Sequence, residues 1–114
     1  EPFEGDVEQF EVASMAPTQV LPVVPGTAMA PAFGHIFSGG YAAGYYGYKW
    51  AEVLEADAFS LFKEKGIFNR EVSGSFRENI LSKGGTEHPM ELYVRFRGHK
   101  PETRALIEKM GLGK

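Results

Sequence analysis

Prolines separate this chain into a part that resists regular structure and a part that permits it. Prolines at positions 17, 22, 25 and 31 remove backbone amides and fix φ, so we predict that residues 17–33 form an extended or irregular connection. Ahead of it, Asp6 and Gln9 match a reciprocal cap at a helix start, which predicts a short helix over Val7–Met15. A long irregular connection is usually functional or lies on another surface.

Helical periodicity begins at Tyr45. Apolar residues recur there at steps of three and four, which places them on one face of a helix that reaches Lys65 and ends at Gly66. The members of this face are Trp50, Val53, Leu54, Ala58, Leu61 and Phe62.

Three further helices are predicted from start and stop signals. Asn69 caps the first of them, which closes at glycines 84 and 85, and Pro89 opens the next, which ends at Gly98. Pro101 opens the last, which ends at Gly111. Their inward residues are predicted to be Val72, Phe76, Ile80 and Leu81, then Met90, Tyr93 and Phe96, then Leu106, Ile107 and Met110. No segment alternates like a half-buried strand, so the predicted fold class is all-α.

Length and composition exclude several classes of protein. The length of 114 residues fits a single portion of one domain. We divide it into a helix with a proline-rich connection (1–33), a Gly/Tyr loop (34–48) and a helical part (45–114). A net charge of -3 argues against nucleic-acid binding. No apolar run is long enough to span a membrane, and the absence of cysteine excludes disulfides and thiolate chemistry.

The Gly/Tyr loop concentrates the unusual residues. It holds five of the 14 glycines and four of the five tyrosines but matches neither GxGxxG nor GxxxxGK[ST]. If it were helical, Tyr41, Tyr45 and Tyr48 would lie within about 60° of one another. Aromatic core packing is one interpretation. The other is a hydrogen-bond donor on a mobile loop, because phenols stay protonated at pH 7 and suit a developing oxyanion.

Histidines and carboxylates carry weaker signals. His35, His88 and His99 lack the spacing of a helical zinc site, and HExxH is absent. His88 and His99 stand beside helix starts, as capping or solvated residues do, whereas His35 lies in an apolar run and is either a core histidine or a site residue. The spacing of the three carboxylates Glu52, Glu55 and Asp57 is typical of the solvent-exposed face of an amphipathic helix. Asp57 lies nearer the apolar face and is a candidate for burial with a partner.

The stretch FGHIFSGGYAAGYYGYKWAEVL, residues 33–54, resembles the C-terminal signature of the thimet oligopeptidase family of zinc metallopeptidases. The likeness continues in ADAF (56–59), GIFNRE (66–71), ILSKGG (80–85) and RFRG (95–98). The six-residue step from His35 to Tyr41 resembles the oligopeptidase A and dipeptidyl carboxypeptidase branches, and the RFRG segment is more similar to oligopeptidase A.

The resemblance implies a helical, two-lobed peptidase whose channel admits short peptides. It implies zinc in the intact enzyme, with HExxH and glutamate ligands upstream of this chain and none within it. By matching positions, His35 hydrogen-bonds the bound peptide and Tyr48 donates to the tetrahedral oxyanion. Tyr41 contacts substrate in the glycine loop that includes Gly39 and Gly40, and Tyr45 matches a further tyrosine of that loop.

We therefore expect a C-terminal piece of a cytoplasmic zinc oligopeptidase, an expectation that the start Glu1-Pro2 also favours. Its partners would be short peptides and the remainder of the catalytic domain, and the piece alone would be inactive. Apolar faces that evolved against a missing lobe would let copies of the piece associate, and such a dimer would be non-physiological. The alternative is a freestanding helical module that clasps extended peptides without catalysis.

Overall fold

The computed structural model describes residues 3–113, and the chain divides into two compact units, Glu1–Tyr45 and Tyr46–Lys114. Seven α-helices and no strand occur among the described residues, which confirms the all-α prediction. Their bounds are α1 Val7–Met15, α2 Met29–Ala32, α3 Gly34–Phe37, α4 Gly47–Lys65, α5 Arg70–Phe76, α6 Pro89–Arg97 and α7 Arg104–Lys109.

In the first unit, α1 has the predicted bounds because the Asp6 side chain accepts a hydrogen bond from the Gln9 amide at 3.0 Å. The predicted irregular connection is partly wrong, since residues 16–18 form a 3-10 turn and α2 contains Pro31. A four-residue helix tolerates proline because its first amides have no intrahelical acceptor. The Glu11 carboxylate accepts from two of these amides, those of Met29 and Ala30.

In the second unit, α4 forms the central element and contacts α5 and α7. It ends at Lys65 as predicted, with Gly66 after it, but it begins at Gly47 and not at Tyr45, where the helical pattern was predicted to start. Val53 and Ala58 are buried on its predicted apolar face, whereas Trp50 is exposed. The core joins Ala58, Val72, Tyr93 and Phe96, surrounded by Leu54, Leu61, Phe62, Phe76 and Ile80.

Helix α5 begins after Asn69, whose side chain accepts from the amides of Glu71 and Val72. It continues into a wider π-helical turn, Arg77–Leu81, in which the Ser82 amide donates to the Arg77 carbonyl. The prediction that Leu81 faces inward is wrong: this side chain is 67% exposed. The wider turn shifts later residues off the 3.6-residue period on which the prediction relied.

Helix α6 begins at Pro89 and ends before Gly98, as predicted, and the structure shows Gly98 in a left-handed conformation. Leu92 is buried there in addition to Tyr93 and Phe96. The predicted start of α7 at Pro101 is wrong, because the first helical hydrogen bond runs from the Ile107 amide to the Thr103 carbonyl. The prediction that Ile107 and Met110 face inward is also wrong: both are exposed, and no residue of α7 belongs to the core cluster.

A surface ion cluster beside α6 is expected to make the stability of the fold depend on pH. The Glu87 carboxylate accepts from Arg95 Nη2 at 2.7 Å and from Lys83 Nζ at 3.1 Å. These hydrogen bonds, that of Arg95 first, lower the pKa of Glu87 from its ordinary 4.5 to about 2. A lowered folded pKa means that ionised Glu87 stabilises the fold above about pH 4.5 and that this contribution is lost as the pH falls to about 2.

We expect the Glu87 carboxyl carbon to titrate by NMR near pH 2 in dilute salt. In Arg95→Gln the midpoint should rise toward 4.5, because the strongest donor is removed. Added salt should reduce the difference, since the cluster is exposed. A wild-type midpoint already near 4.5 would show that the ion cluster does not form.

Candidate functional site

The candidate residues fall into both units of the chain. His35, Gly39, Gly40, Tyr41 and Tyr45 lie in the first unit, and Tyr48 lies in the second.

His35 lies among aromatic rings in the first unit. Helix α3 carries it, and the ring centroids of Tyr41 and Tyr45 lie 4.6 and 5.6 Å from that of His35, both in edge-on arrangements. Tyr45 also packs edge-on against Phe33 at 4.7 Å. Edge-to-face aromatic pairs contribute about 0.5–1.5 kcal/mol beyond area burial. His35 is exposed, so the core-histidine interpretation is wrong, and three of the predicted residues contact one another.

Two glycines let the chain reverse between His35 and Tyr41. Gly39 and Gly40 have φ values of 74° and 84°, and no atom lies within 4 Å of the position that a Cβ would take at either residue. The backbone conformation, and not lack of space, therefore favours glycine here. Ala43 follows with φ of 54°, a conformation that costs a non-glycine residue about 1–2 kcal/mol. Such strain within a loop is often found at functional sites.

Tyr48 is the second residue of α4 and is 42% exposed. Residues 42–46 form turns instead of a helix. The estimate that Tyr41, Tyr45 and Tyr48 share one helix face, which assumed a helical loop, therefore does not apply. Gly47 and Tyr48, which belong to the overlap between the predicted loop and helical part, form the first turn of α4.

A buried polar network in the second unit was only partly predicted. Asp57 is 3% exposed, and its Oδ2 accepts a hydrogen bond of 2.5 Å from the Tyr93 hydroxyl. Burial, and then the contact with Asp57, raises the pKa of Tyr93 well above its usual range, so the phenol stays a donor. Arg97 Nε donates to the Asp57 carbonyl at 3.1 Å. Two features of the sequence pointed to this network: Asp57 lies near the apolar face of α4, and Tyr93 and Arg97 lie one turn apart on α6.

The metal-ligating side chains of the described residues lie apart from one another. Over residues 3–113, no three histidine, cysteine, aspartate or glutamate side chains come together as metal ligands. His88 Nδ1 accepts from the Met90 amide as a helix cap, and His99 Nδ1 lies 2.6 Å from the Lys100 carbonyl oxygen. The described residues therefore do not fit a zinc ion. No helix among them is long and apolar enough to cross a bilayer.

Comparison with known proteins identifies the family. The model of Peptidase family M3 matches residues 4–112, nearly the whole chain. The chain belongs to peptidase family M3. Oligopeptidase A of Escherichia coli (strain K12) is 63% identical over 81 residues, 71% of this chain. The probable cytosolic oligopeptidase A of Arabidopsis thaliana is 48% identical over 99 residues, 83% of the chain, and the dipeptidyl carboxypeptidase of Escherichia coli (strain K12) is 42% identical over 108 residues, 94% of the chain.

These relatives confirm the resemblance found in the sequence. The present chain spans only 12–16% of the length of these relatives. The matched region is therefore a small part of proteins whose names describe peptidases.

Proposed function

We propose that this M3 segment belongs to a zinc-dependent oligopeptidase that hydrolyses short peptides, and that it forms one side of the substrate site. The observation that carries the proposal is the 63% identity to an oligopeptidase A over 81 residues. The identity to a dipeptidyl carboxypeptidase is lower, 42%, which favours an oligopeptidase over release of C-terminal dipeptides. The small share of each relative that is covered favours a segment over the freestanding peptide-binding module.

In this proposal the chain supplies hydrogen bonds and substrate contacts, and zinc is held by residues of the catalytic domain outside it. Tyr48 donates to the oxyanion that develops on the scissile carbonyl, since an exposed phenol on a rigid helix is a preorganised donor. His35 hydrogen-bonds the peptide near the scissile group. Tyr41, Tyr45 and the Gly39–Gly40 turn contact the substrate around it.

The aromatic contacts of His35 support its proposed role. Two tyrosine rings hold the imidazole edge-on while the residue remains exposed, so its orientation is restricted without burial. Restricted side chains orient a substrate at a lower entropic cost. We also propose a cytoplasmic location, which the name of the probable cytosolic relative supports.

The full-length protein tests the proposal. We expect it to cleave a fluorogenic peptide of about ten residues, to lose activity with a zinc chelator and to regain it with added zinc. The isolated 114-residue chain is expected neither to bind stoichiometric zinc nor to cleave the peptide, because its described residues form no ligand set. Inactive full-length protein loaded with zinc, or zinc-dependent cleavage by the isolated chain, would contradict the proposal.

A further inference from the structure

Helix α4 carries two different kinds of residue on opposite faces. Tyr48 and Asp57 are nine positions apart, which at 100° per residue amounts to two and a half turns and about 13.5 Å along the axis. Asp57 is 3% exposed, whereas Tyr48 is 42% exposed. One face of a single helix is therefore anchored in the core while the other presents the phenol.

The anchor is polar and directional. Tyr93 donates to Asp57 Oδ2 at 2.5 Å, and its hydroxyl lies 3.4 Å from the Leu54 carbonyl oxygen. Arg97 Nε lies 3.7 Å from Asp57 Oδ1 and donates to the Asp57 carbonyl, while Arg97 Nη2 donates to Ser60 Oγ at 2.9 Å. Helix α6 thus holds α4 at several points through side chains with fixed geometry.

Such a network costs desolvation that an apolar contact would avoid. Apolar side chains permit small rotations of one helix against another, whereas hydrogen bonds depend steeply on distance and angle. The network therefore specifies the rotation of α4 about its axis more tightly than the apolar core does.

We propose that Tyr93 is a positioning residue which, through Asp57, fixes the rotation of α4 and so the direction of the Tyr48 hydroxyl. This inference rests on the proposed role of Tyr48 as oxyanion donor. At about 6 Å from a helix axis, a rotation of about 10° displaces an atom by about 1 Å. A displacement of that size can reduce turnover by up to about 10²-fold.

A double-mutant cycle in the full-length enzyme tests the inference. Tyr93→Phe, which removes only the hydroxyl that Asp57 accepts, is expected to lower kcat about tenfold with KM unchanged. The unchanged KM follows because Tyr48 is proposed to act on the transition state. In a Tyr48→Phe background the same change should alter kcat less than about twofold, because no hydroxyl remains to be positioned.

A purely structural role predicts a different pattern. Val72→Ala, a truncation in the same core, serves as the control that destabilises the fold without removing any hydrogen bond of the network and should keep kcat. If Tyr93→Phe does not fold, Asp57→Leu repeats the cycle, since it keeps the approximate shape of the side chain but offers Tyr93 no acceptor. Full kcat in the single variant, or an equal loss in both backgrounds, would overturn the inference while leaving the role of Tyr48 intact. Full kcat in Tyr48→Phe alone would instead refute the proposed role of Tyr48, and the inference with it.

Discussion

Tyr48→Phe in the full-length peptidase is expected to lower kcat about 10²- to 10³-fold, the usual loss when one preorganised oxyanion donor is removed. Only the hydroxyl is removed, and Tyr48 lies on the exposed side of the first turn of α4, so the helix and the core should remain unchanged. KM and zinc content should stay near wild type, because the lost hydrogen bond belongs to the transition state. Steady-state kinetics and metal analysis measure these quantities.

Tyr46→Phe is the matched control for this prediction. Tyr46 lies two residues earlier, and its side chain is exposed. It loses the same hydroxyl but has no proposed catalytic role, so kcat should remain within about twofold of wild type. Equal losses in both variants would indicate a general effect on this turn, and wild-type turnover in Tyr48→Phe would remove Tyr48 from the mechanism.

Local signals predicted the helices well where one residue type decides the boundary. The Asp6 cap, the Asn69 cap and the proline at the start of α6 act through hydrogen bonds or φ angles within three residues, and the structure has them as expected. The predicted start of α7 was wrong because Pro101 and Thr103 are both residues that commonly begin helices, and the local pattern does not show which of them does so.

Local sequence signals could not predict contacts between residues that are far apart in the sequence. Helix α2 depends on Glu11, 18 positions before Met29, so no local pattern predicts it. The exposed Leu81 results from a π-helical turn that breaks the assumed period. The burial of Asp57 was predictable from its position near the stripe, whereas its pairing with Tyr93, 36 residues away, required the fold.

For the candidate site, the sequence supplied the residues and the structure supplied their neighbours. The approach of Tyr41 and Tyr45 to His35 depends on the reversal at Gly39 and Gly40, whose φ values a residue pattern cannot assign. The roles of His35, Tyr48 and the loop residues remain predictions that variants must test.

Phe96→Ala is expected to lower the free energy of unfolding of the chain by about 3–5 kcal/mol. Phe96 is 6% exposed and its ring lies 5.2 Å from that of Phe76 and 6.3 Å from that of Phe62, so truncation leaves a cavity in the centre of the cluster. The fluorescence of Trp50, the single tryptophan, reports on unfolding in urea. A small core leaves little reserve, since domains are stable by only about 5–15 kcal/mol.

Phe68→Ala makes the same chemical change at a side chain that is 96% exposed. It removes no packing within this chain and should change the free energy of unfolding by less than about 0.5 kcal/mol. The contrast separates core packing from the general loss of an aromatic residue. If Phe96→Ala were as mild as Phe68→Ala, the aromatic cluster of Phe62, Phe76 and Phe96 would not be what holds α4, α5 and α6 together.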